Sequence, residues 1–284
     1  MIRFGTVAIV GVGLLGGSIG AAVRQRSLAA SVVGVCRSEA SRQRAEACGL
    51  VDRCTTNLPE ALAAADLIVI CTPVGSILDG YRQAVQHGRP DAVATDAGSS
   101  KTRIVRGADL IQEASLAAPR FVGSHPLAGD HRSGPEAARA DLLEGRTVVV
   151  TPTEATDPAA LTAVVGLWEA LGAKVERLSP EDHDATLAQS SHLPHLLASV
   201  LAATTPEQCL AWTAGGWRDS TRIAAGDPEL WADILLSNPQ PVIDAANRFE
   251  ESLSLAVDAI DAGDRETLVR ILQQGSARRN AVGN

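Results

Sequence analysis

Thr6-Val-Ala-Ile-Val10 runs directly into Gly11-Val-Gly13-Leu14-Leu15-Gly16, and the reading of this stretch decides the fold. The first five residues are apolar and mostly β-branched, the pattern of a strand buried on both faces of a parallel sheet. A helix pattern follows from 15 to about 24. Glycines spaced G-x-G-x-x-G are common, and they gain meaning when a strand precedes them and a helix follows. In that setting Gly11 permits the tight turn and Gly13 lets the backbone approach a pyrophosphate. Gly16 lets helix and strand pack closely. The backbone of Leu14 and Leu15 opens the helix whose N-terminus faces the phosphates.

The same pattern continues outward from this stretch. A second strand is expected at 32–35, followed by Cys36-Arg37-Ser38. A site that prefers NAD usually carries an acid here to hold the ribose 2′-hydroxyl. An arginine and a hydroxyl suit a 2′-phosphate instead, so NADP is favoured and NAD remains possible. Arg42, one turn into the next helix, is a further candidate contact. Strands are expected at 66–71 and 92–96. Cys71-Thr72-Pro73 follows the first and Ala97-Gly-Ser99-Ser-Lys101 the second, on the edge where a doubly wound sheet binds its ligands. Ser99 and Lys101 are placed toward cofactor or substrate, with helix capping as the rival role for Ser99.

Gly123-Ser-His125-Pro-Leu-Ala-Gly129 reads as a glycine-flanked loop carrying one imidazole, a group able to take a proton near neutral pH. A strand at 146–150, a helix at 157–171 and a strand at 173–178 complete the alternating part. The expected fold is therefore a Rossmann-like dinucleotide-binding domain over 1–179 and an all-helical domain over 180–284. Ser179-Pro180-Glu-Asp182 opens the first of the later helices. That helix carries His192 and His195, three apart and so on one face, with Pro194 expected to kink it. Hydrogen-bonding roles are preferred to metal binding for this pair, since no H-E-x-x-H arrangement is present. Arg218, Asp219 and Arg222 lie close together, and guanidinium forks suit an acidic substrate or an internal Arg–Asp network. In the long helix at 241–262, Val242, Ala246, Phe249, Leu253, Ala256 and Ile260 form a seam suited to a dimer contact.

Composition narrows the function. Lys and Arg number 25 against 33 Asp and Glu, a net charge of −8 that disfavours nucleic-acid binding. The five cysteines include no C-x-x-C pair and read as reduced thiols rather than a disulfide frame. No apolar run reaches the roughly 18 residues of a membrane span, and the strand pattern at Thr6 leaves no room for a signal peptide. The expectation is a soluble, cytoplasmic protein.

Together and in order, these motifs resemble the prephenate/arogenate dehydrogenase family of tyrosine biosynthesis. The residues carrying the likeness are Gly11-Val-Gly-Leu-Leu-Gly-Gly-Ser18, Cys71-Thr-Pro73, Asp96-Ala-Gly-Ser-Ser-Lys101 and Gly123-Ser-His-Pro-Leu-Ala-Gly129. They continue in Asp182-His-Asp184, Ser191-His-Leu-Pro-His195, Gly216-Trp-Arg-Asp-Ser-Thr-Arg-Ile-Ala224 and Asp227-Pro-Glu-Leu-Trp231. The resemblance implies an NAD(P)-dependent oxidative decarboxylation of prephenate or arogenate. It assigns His125 as the base at the ring 4-hydroxyl, with Ser99 beside it. His195 and Arg222 are assigned to the substrate, Arg222 at its side-chain carboxylate, with Asp219 holding the arginine loop; His192 is a further candidate substrate contact. It also implies a homodimer through the helical domain. Asp130 and His131 depart from the family's usual residues after H-P-x-A-G, and Asp130 is a candidate partner for the ammonium of arogenate. The competing readings are a β-hydroxyacid dehydrogenase or imine reductase of similar architecture, and a non-catalytic NADP sensor.

Overall fold

Alternate residues of the first strand go to opposite sides of the sheet. Val7 and Ile9 join one buried cluster, Ala8 and Val10 the other, as the two-residue repeat of a strand requires. The computed structural model describes residues 3–115, 117–130 and 132–283. His131 lies outside the described residues. Among them one sheet runs in the order β3-β2-β1-β4-β5-β6-β7-β8. The strands are β1 Phe4–Val10, β2 Ala29–Val35, β3 Arg53–Thr55, β4 Leu67–Ile70, β5 Val93–Asp96, β6 Arg120–Pro126, β7 Thr147–Thr151 and β8 Lys174–Arg177. The pairs from β3 across to β6 are parallel. Strand order reverses beside β1, which opens a crevice at the carboxyl ends of β1 and β4.

Helices cover both faces. α1 Leu14–Gln25 joins one buried cluster, while α2 Glu39–Ala47 is mostly exposed. α3 Leu58–Ala63, α4 Ile77–His87 and α5 Thr102–Ala114 supply the opposite cluster. α6 Pro158–Ala170 returns to the α1 side, where Trp168 is wholly buried. Leu67 and Val69 of β4 face that side and Ile68 and Ile70 the other, so the apolar run expected at 66–71 is buried on both faces.

His125 is not on a loop. β7 pairs antiparallel with the end of β6, placing His125 opposite Val149 and Ser124 opposite Val150. Gly-Ser-His-Pro has turn-like composition, but pairing with a distant strand overrides local preference. A strand holds the imidazole more firmly than a loop would.

Past β8 come α7 Pro180–Leu187, a π turn at Ala188–His192, α8 Leu193–Thr204, α9 Glu207–Leu210, α10 Gly215–Thr221 and α11 Pro228–Ser237. Ser179 caps α7, its hydroxyl accepting from the Asp182 N–H at 3.0 Å. Pro194, which cannot donate to the helical ladder, lies just beyond the π turn, and the break expected there takes that form. These helices stay with the sheet. By compactness the chain divides into Met1–Asn238 and Pro239–Asn284, so the composition change at Ser179 is not where the contacts thin out. One tie is the Asp184 carboxylate of α7, which accepts the Lys101 and Thr102 N–H groups at 2.7 and 2.8 Å.

The second unit holds α12 Pro239–Asp261 and α13 Arg265–Ala281. In the α12 seam Val242 is buried, whereas Phe249, Leu253 and Ile260 are exposed. No helix among the described residues is long and apolar enough to cross a membrane.

Candidate active site

The glycine turn forms the cradle its spacing predicts. Gly11 has φ +98°, and a Cβ there would lie 2.9 Å from the Cys71 carbonyl oxygen. A Cβ on Gly16 would sit 2.0 Å from the Gly11 carbonyl oxygen, so β1 and α1 could not approach as they do. At Gly13 a Cβ would meet nothing within 4 Å. That space lies at the start of α1, whose N-cap Gly13 offers no side chain to the first-turn N–H groups of Leu14 and Leu15. Unsatisfied N–H groups facing open space suit a pyrophosphate.

A cavity of about 440 Å³ extends from this turn between the ends of β1, β2 and β4. Gly11, Gly13, Arg37, Cys71, Thr72 and Pro73 are among its lining residues. The Thr72 hydroxyl is buried without a partner among the described residues, as expected of a group awaiting a ligand. The residues present therefore fit a dinucleotide. Two expected contacts lie elsewhere. Ser38 caps α2, accepting from the Ser41 N–H at 3.2 Å, and Ser41 rather than Ser38 lines the cavity. Arg42 is held by Glu39 at 2.6 Å and by Glu46 at 2.5 Å, so its fork is already occupied.

A second cavity, of about 470 Å³, is lined by Ser99, His125, Ser191, His192 and Trp231 together with the backbone after His125. Ser99 is not a helix cap, because Lys101 holds that position for α5. Lys101 does not reach either cavity. Its ammonium is 0% exposed, ion-paired with Asp96 and donating to the Ser124 carbonyl at 2.9 Å. The pair braces the strand ends that carry Ser99 and His125.

His125 is 8% exposed. Its Nδ1 lies 2.9 Å from His183 Nε2, and His183 Nδ1 lies 2.8 Å from Asp184 Oδ1. Burial, then the nearby His183, Lys101 and His192, hold the pKa of His125 well below 6.5. The ring is therefore neutral and able to accept a proton at physiological pH. Burial lowers His192 to about 4. Asn238 Nδ2 donates to the Asp184 carbonyl at 2.8 Å and approaches His192 Nδ1 at 3.2 Å. With the amide nitrogen so placed, His192 Nδ1 accepts and its Nε2 carries the hydrogen. His195 stacks on Trp231 with ring centroids 3.5 Å apart. Burial lowers its pKa, and its Nδ1 has no partner among the described residues.

The structure brings together Ser99, His125 and His192, with His195 behind Trp231. It does not join the others to this cavity. Arg222 begins a 3-10 turn and is exposed, and Asp219 is exposed on α10. Neither forms an ion pair with a described residue, so the structure contains no Arg–Asp network across this loop. Asp130 receives both forks of Arg132 at 3.0 and 2.9 Å, and Arg139 at 3.4 Å. Guanidiniums thus occupy the carboxylate expected to read an ammonium. Sequence reasoning gave no site role to His183, Asp184, Trp231 or Asn238. Three of the four lie in motifs already singled out, Asp182-His-Asp184 and Asp227-Pro-Glu-Leu-Trp231. Asn238 carries no local signal.

Comparisons with known proteins identify the family. Residues 19–177 match the family model of the prephenate dehydrogenase nucleotide-binding domain, and 179–274 match that of its dimerization domain. A cyclohexadienyl dehydrogenase of Zymomonas mobilis is 32% identical over 99% of this chain and 97% of its own. Prephenate dehydrogenase from A. aeolicus, solved with hydroxyphenyl propionate and NAD+, superposes with a TM-score of 0.91 at 34% identity, covering 99% of each chain. Synechocystis arogenate dehydrogenase superposes at 0.83 with 29% identity, over 98% of this chain and 99% of that one. With both domain models matched in order and a relative aligned nearly end to end, the chain belongs to the prephenate dehydrogenase family and is a nicotinamide-dependent oxidoreductase.

Proposed function

We propose that the chain oxidatively decarboxylates prephenate to 4-hydroxyphenylpyruvate and accepts arogenate alongside it, giving tyrosine. The observation that carries this reading is a buried His125 lining a cavity with Ser99, two strands along the sheet from β4, whose end borders the dinucleotide cradle. Bound nicotinamide supplies the acceptor for the hydride that leaves the carbinol carbon. His125 takes the 4-hydroxyl proton through Nε2, the ring nitrogen that His183 does not occupy. Ser99 hydrogen-bonds the same hydroxyl and fixes its direction. The Nε2–H of His192 donates into the cavity, and Trp231 supplies an apolar wall for the ring. Arg222, which the family resemblance assigns to the side-chain carboxylate, is exposed and is not among the residues lining this cavity. Loss of the ring carboxylate as carbon dioxide yields an aromatic ring, which makes the overall step effectively irreversible.

The residues at the end of β2 favour NADP over NAD, with Arg37 on the cavity wall and no acid beside it. The exposed apolar residues of α12 support a homodimer built through the segment after Ser179. The test is turnover of prephenate and of arogenate, each with NAD and NADP, in the parent and in His125→Asn. General-base removal is expected to lower kcat by about 10²–10⁴ with cofactor binding retained. A variant that keeps most of its kcat removes His125 as the base. A parent enzyme inert toward both acids removes the substrate assignment.

A further inference from the structure

Three buried side chains stand in line behind the cavity: His125 on β6, then His183 and Asp184 on α7. His183 is 0% exposed and Asp184 2%. Neither is among the residues lining the cavity. We infer that His183 and Asp184 are positioning residues, a hydrogen-bonded chain that holds the proton of His125 on Nδ1 and leaves the Nε2 lone pair facing the substrate. This rests on the reading of His125 as the base and names what sets its tautomer.

The direction of each hydrogen bond follows from the one before it. Asp184 Oδ1 accepts the Lys101 N–H at 2.7 Å, and Oδ2 accepts the Thr102 N–H at 2.8 Å. Backbone N–H groups only donate, so both oxygens act as acceptors. Burial acts to raise the pKa of Asp184, but the hydrogen bonds from His183, Thr102 and Lys101 outweigh it and the net shift is downward. An ionised carboxylate has no proton to give, so at the 2.8 Å contact His183 Nδ1 must donate. Burial lowers His183 despite the opposing pull of Asp184, which keeps the ring neutral. Neutral imidazole carries one hydrogen. With that hydrogen on Nδ1, His183 Nε2 is an acceptor, and the 2.9 Å contact then requires an Nδ1–H on His125. The other tautomer of His125 would set two lone pairs against each other in a buried site.

The groups facing His125 are His183, Lys101 and His192, and those facing His183 include Lys101, Asp184 and Asp96. Lys101 is neutralised by Asp96, so the carboxylate of Asp184 is the anionic end toward which positive charge on His125 is directed. A base oriented by a third group is the arrangement of a catalytic triad, here lengthened by one imidazole. No proton need travel the length of the chain. Its two bonds keep the same direction when His125 becomes the imidazolium.

The chain predicts a separation of kcat from KM. His183→Phe removes the acceptor and lets the His125 hydrogen move to Nε2. We expect kcat to fall by about 10²–10⁴, with KM for both substrates little changed because residue 183 does not line the cavity. His183→Gln, whose amide oxygen can stand where Nε2 stood, is expected to recover at least roughly tenfold of that loss, as a restored hydrogen bond to a group charged in the transition state would. A long-range ¹H–¹⁵N spectrum of the parent with ¹⁵N-histidine, taken without substrate, is expected to show His125 protonated at Nδ1. Protonation at Nε2 in the parent overturns the inference without any variant. So does a His183→Phe protein with unchanged kcat. If His125→Asn is inactive while His183→Phe is fully active, only the positioning role fails; if His125→Asn is active, the base assignment fails first.

Discussion

A carboxylate at the end of β2 would repel a 2′-phosphate, and Cys36 and Arg37 stand there instead. Arg37 lines the dinucleotide cavity, whereas Arg42 is spent on Glu39 and Glu46. The proposed discrimination therefore rests on one guanidinium. Arg37→Ala combined with Cys36→Asp is expected to shift the ratio of kcat/KM for NADP and NAD toward NAD. A charge-assisted contact of about 1.5–3 kcal/mol corresponds to roughly ten- to a hundredfold. The assay is steady-state turnover with each cofactor at saturating acid. A double variant with the parent's ratio would show that Arg37 does not read the phosphate.

The elements that present His125 are held by polar groups that line neither cavity. Asp96, at the end of β5, accepts the Ser124 N–H at 3.0 Å and the Gly98 N–H at 2.9 Å as well as pairing with Lys101. One carboxylate thus fixes β6 next to His125 and the turn leading to Ser99. Burial lowers the pKa of Lys101 while Asp96 opposes it. Lys101→Met keeps much of the stem but leaves Asp96 buried without its counter-charge. Breaking one side of such a pair typically costs about 3–5 kcal/mol. The expected result is a markedly lower urea midpoint, with kcat reduced only as far as β6 shifts. A midpoint equal to the parent's would show that the pair is not needed to hold these strands.

At the scale of the whole molecule, buried histidines tie stability to pH. His125, His183, His192 and His195 are all lowered from 6.5, chiefly by burial. On unfolding each regains its ordinary pKa, so near pH 6 the unfolded chain binds more protons than the folded one. Stability is then complete above 6.5 and is lost as pH falls toward the folded values, about 4 for His192. Each such group adds a slope of up to about 1.4 kcal/mol per pH unit within that window. Urea midpoints at pH 7.5 and 5.0 should differ clearly, and equal midpoints would mean that these rings charge freely in the folded state. Association is the other property at this scale. Leu253→Glu, on the exposed face of α12, is expected to turn a dimer into a monomer by sedimentation. A parent that sediments as a monomer would leave that face without the proposed partner.

Much of this protein was legible in the chain. Strand–glycine turn–helix, apolar runs at 66–71 and 92–96, and the helical composition after Ser179 are local patterns, and local patterns set elements and their order. His125, Ser99 and the turn at Gly11, Gly13 and Gly16 could be named as candidates for the same reason, because each sits at a strand end where a doubly wound sheet binds ligands. Tertiary structure decided what depends on partners far away in sequence. It placed His125 in a strand, because β7 supplies hydrogen bonds from more than twenty residues downstream. It turned Lys101, Arg42 and Asp130 from candidate ligand contacts into ion-pair partners, since a charge shows its sign in the sequence but not its nearest neighbour. It also brought His183, with Asp184 beyond it, against His125 across 58 residues of chain. That alignment exists only where α7 packs against α5 and β7, and no spacing within the sequence encodes it.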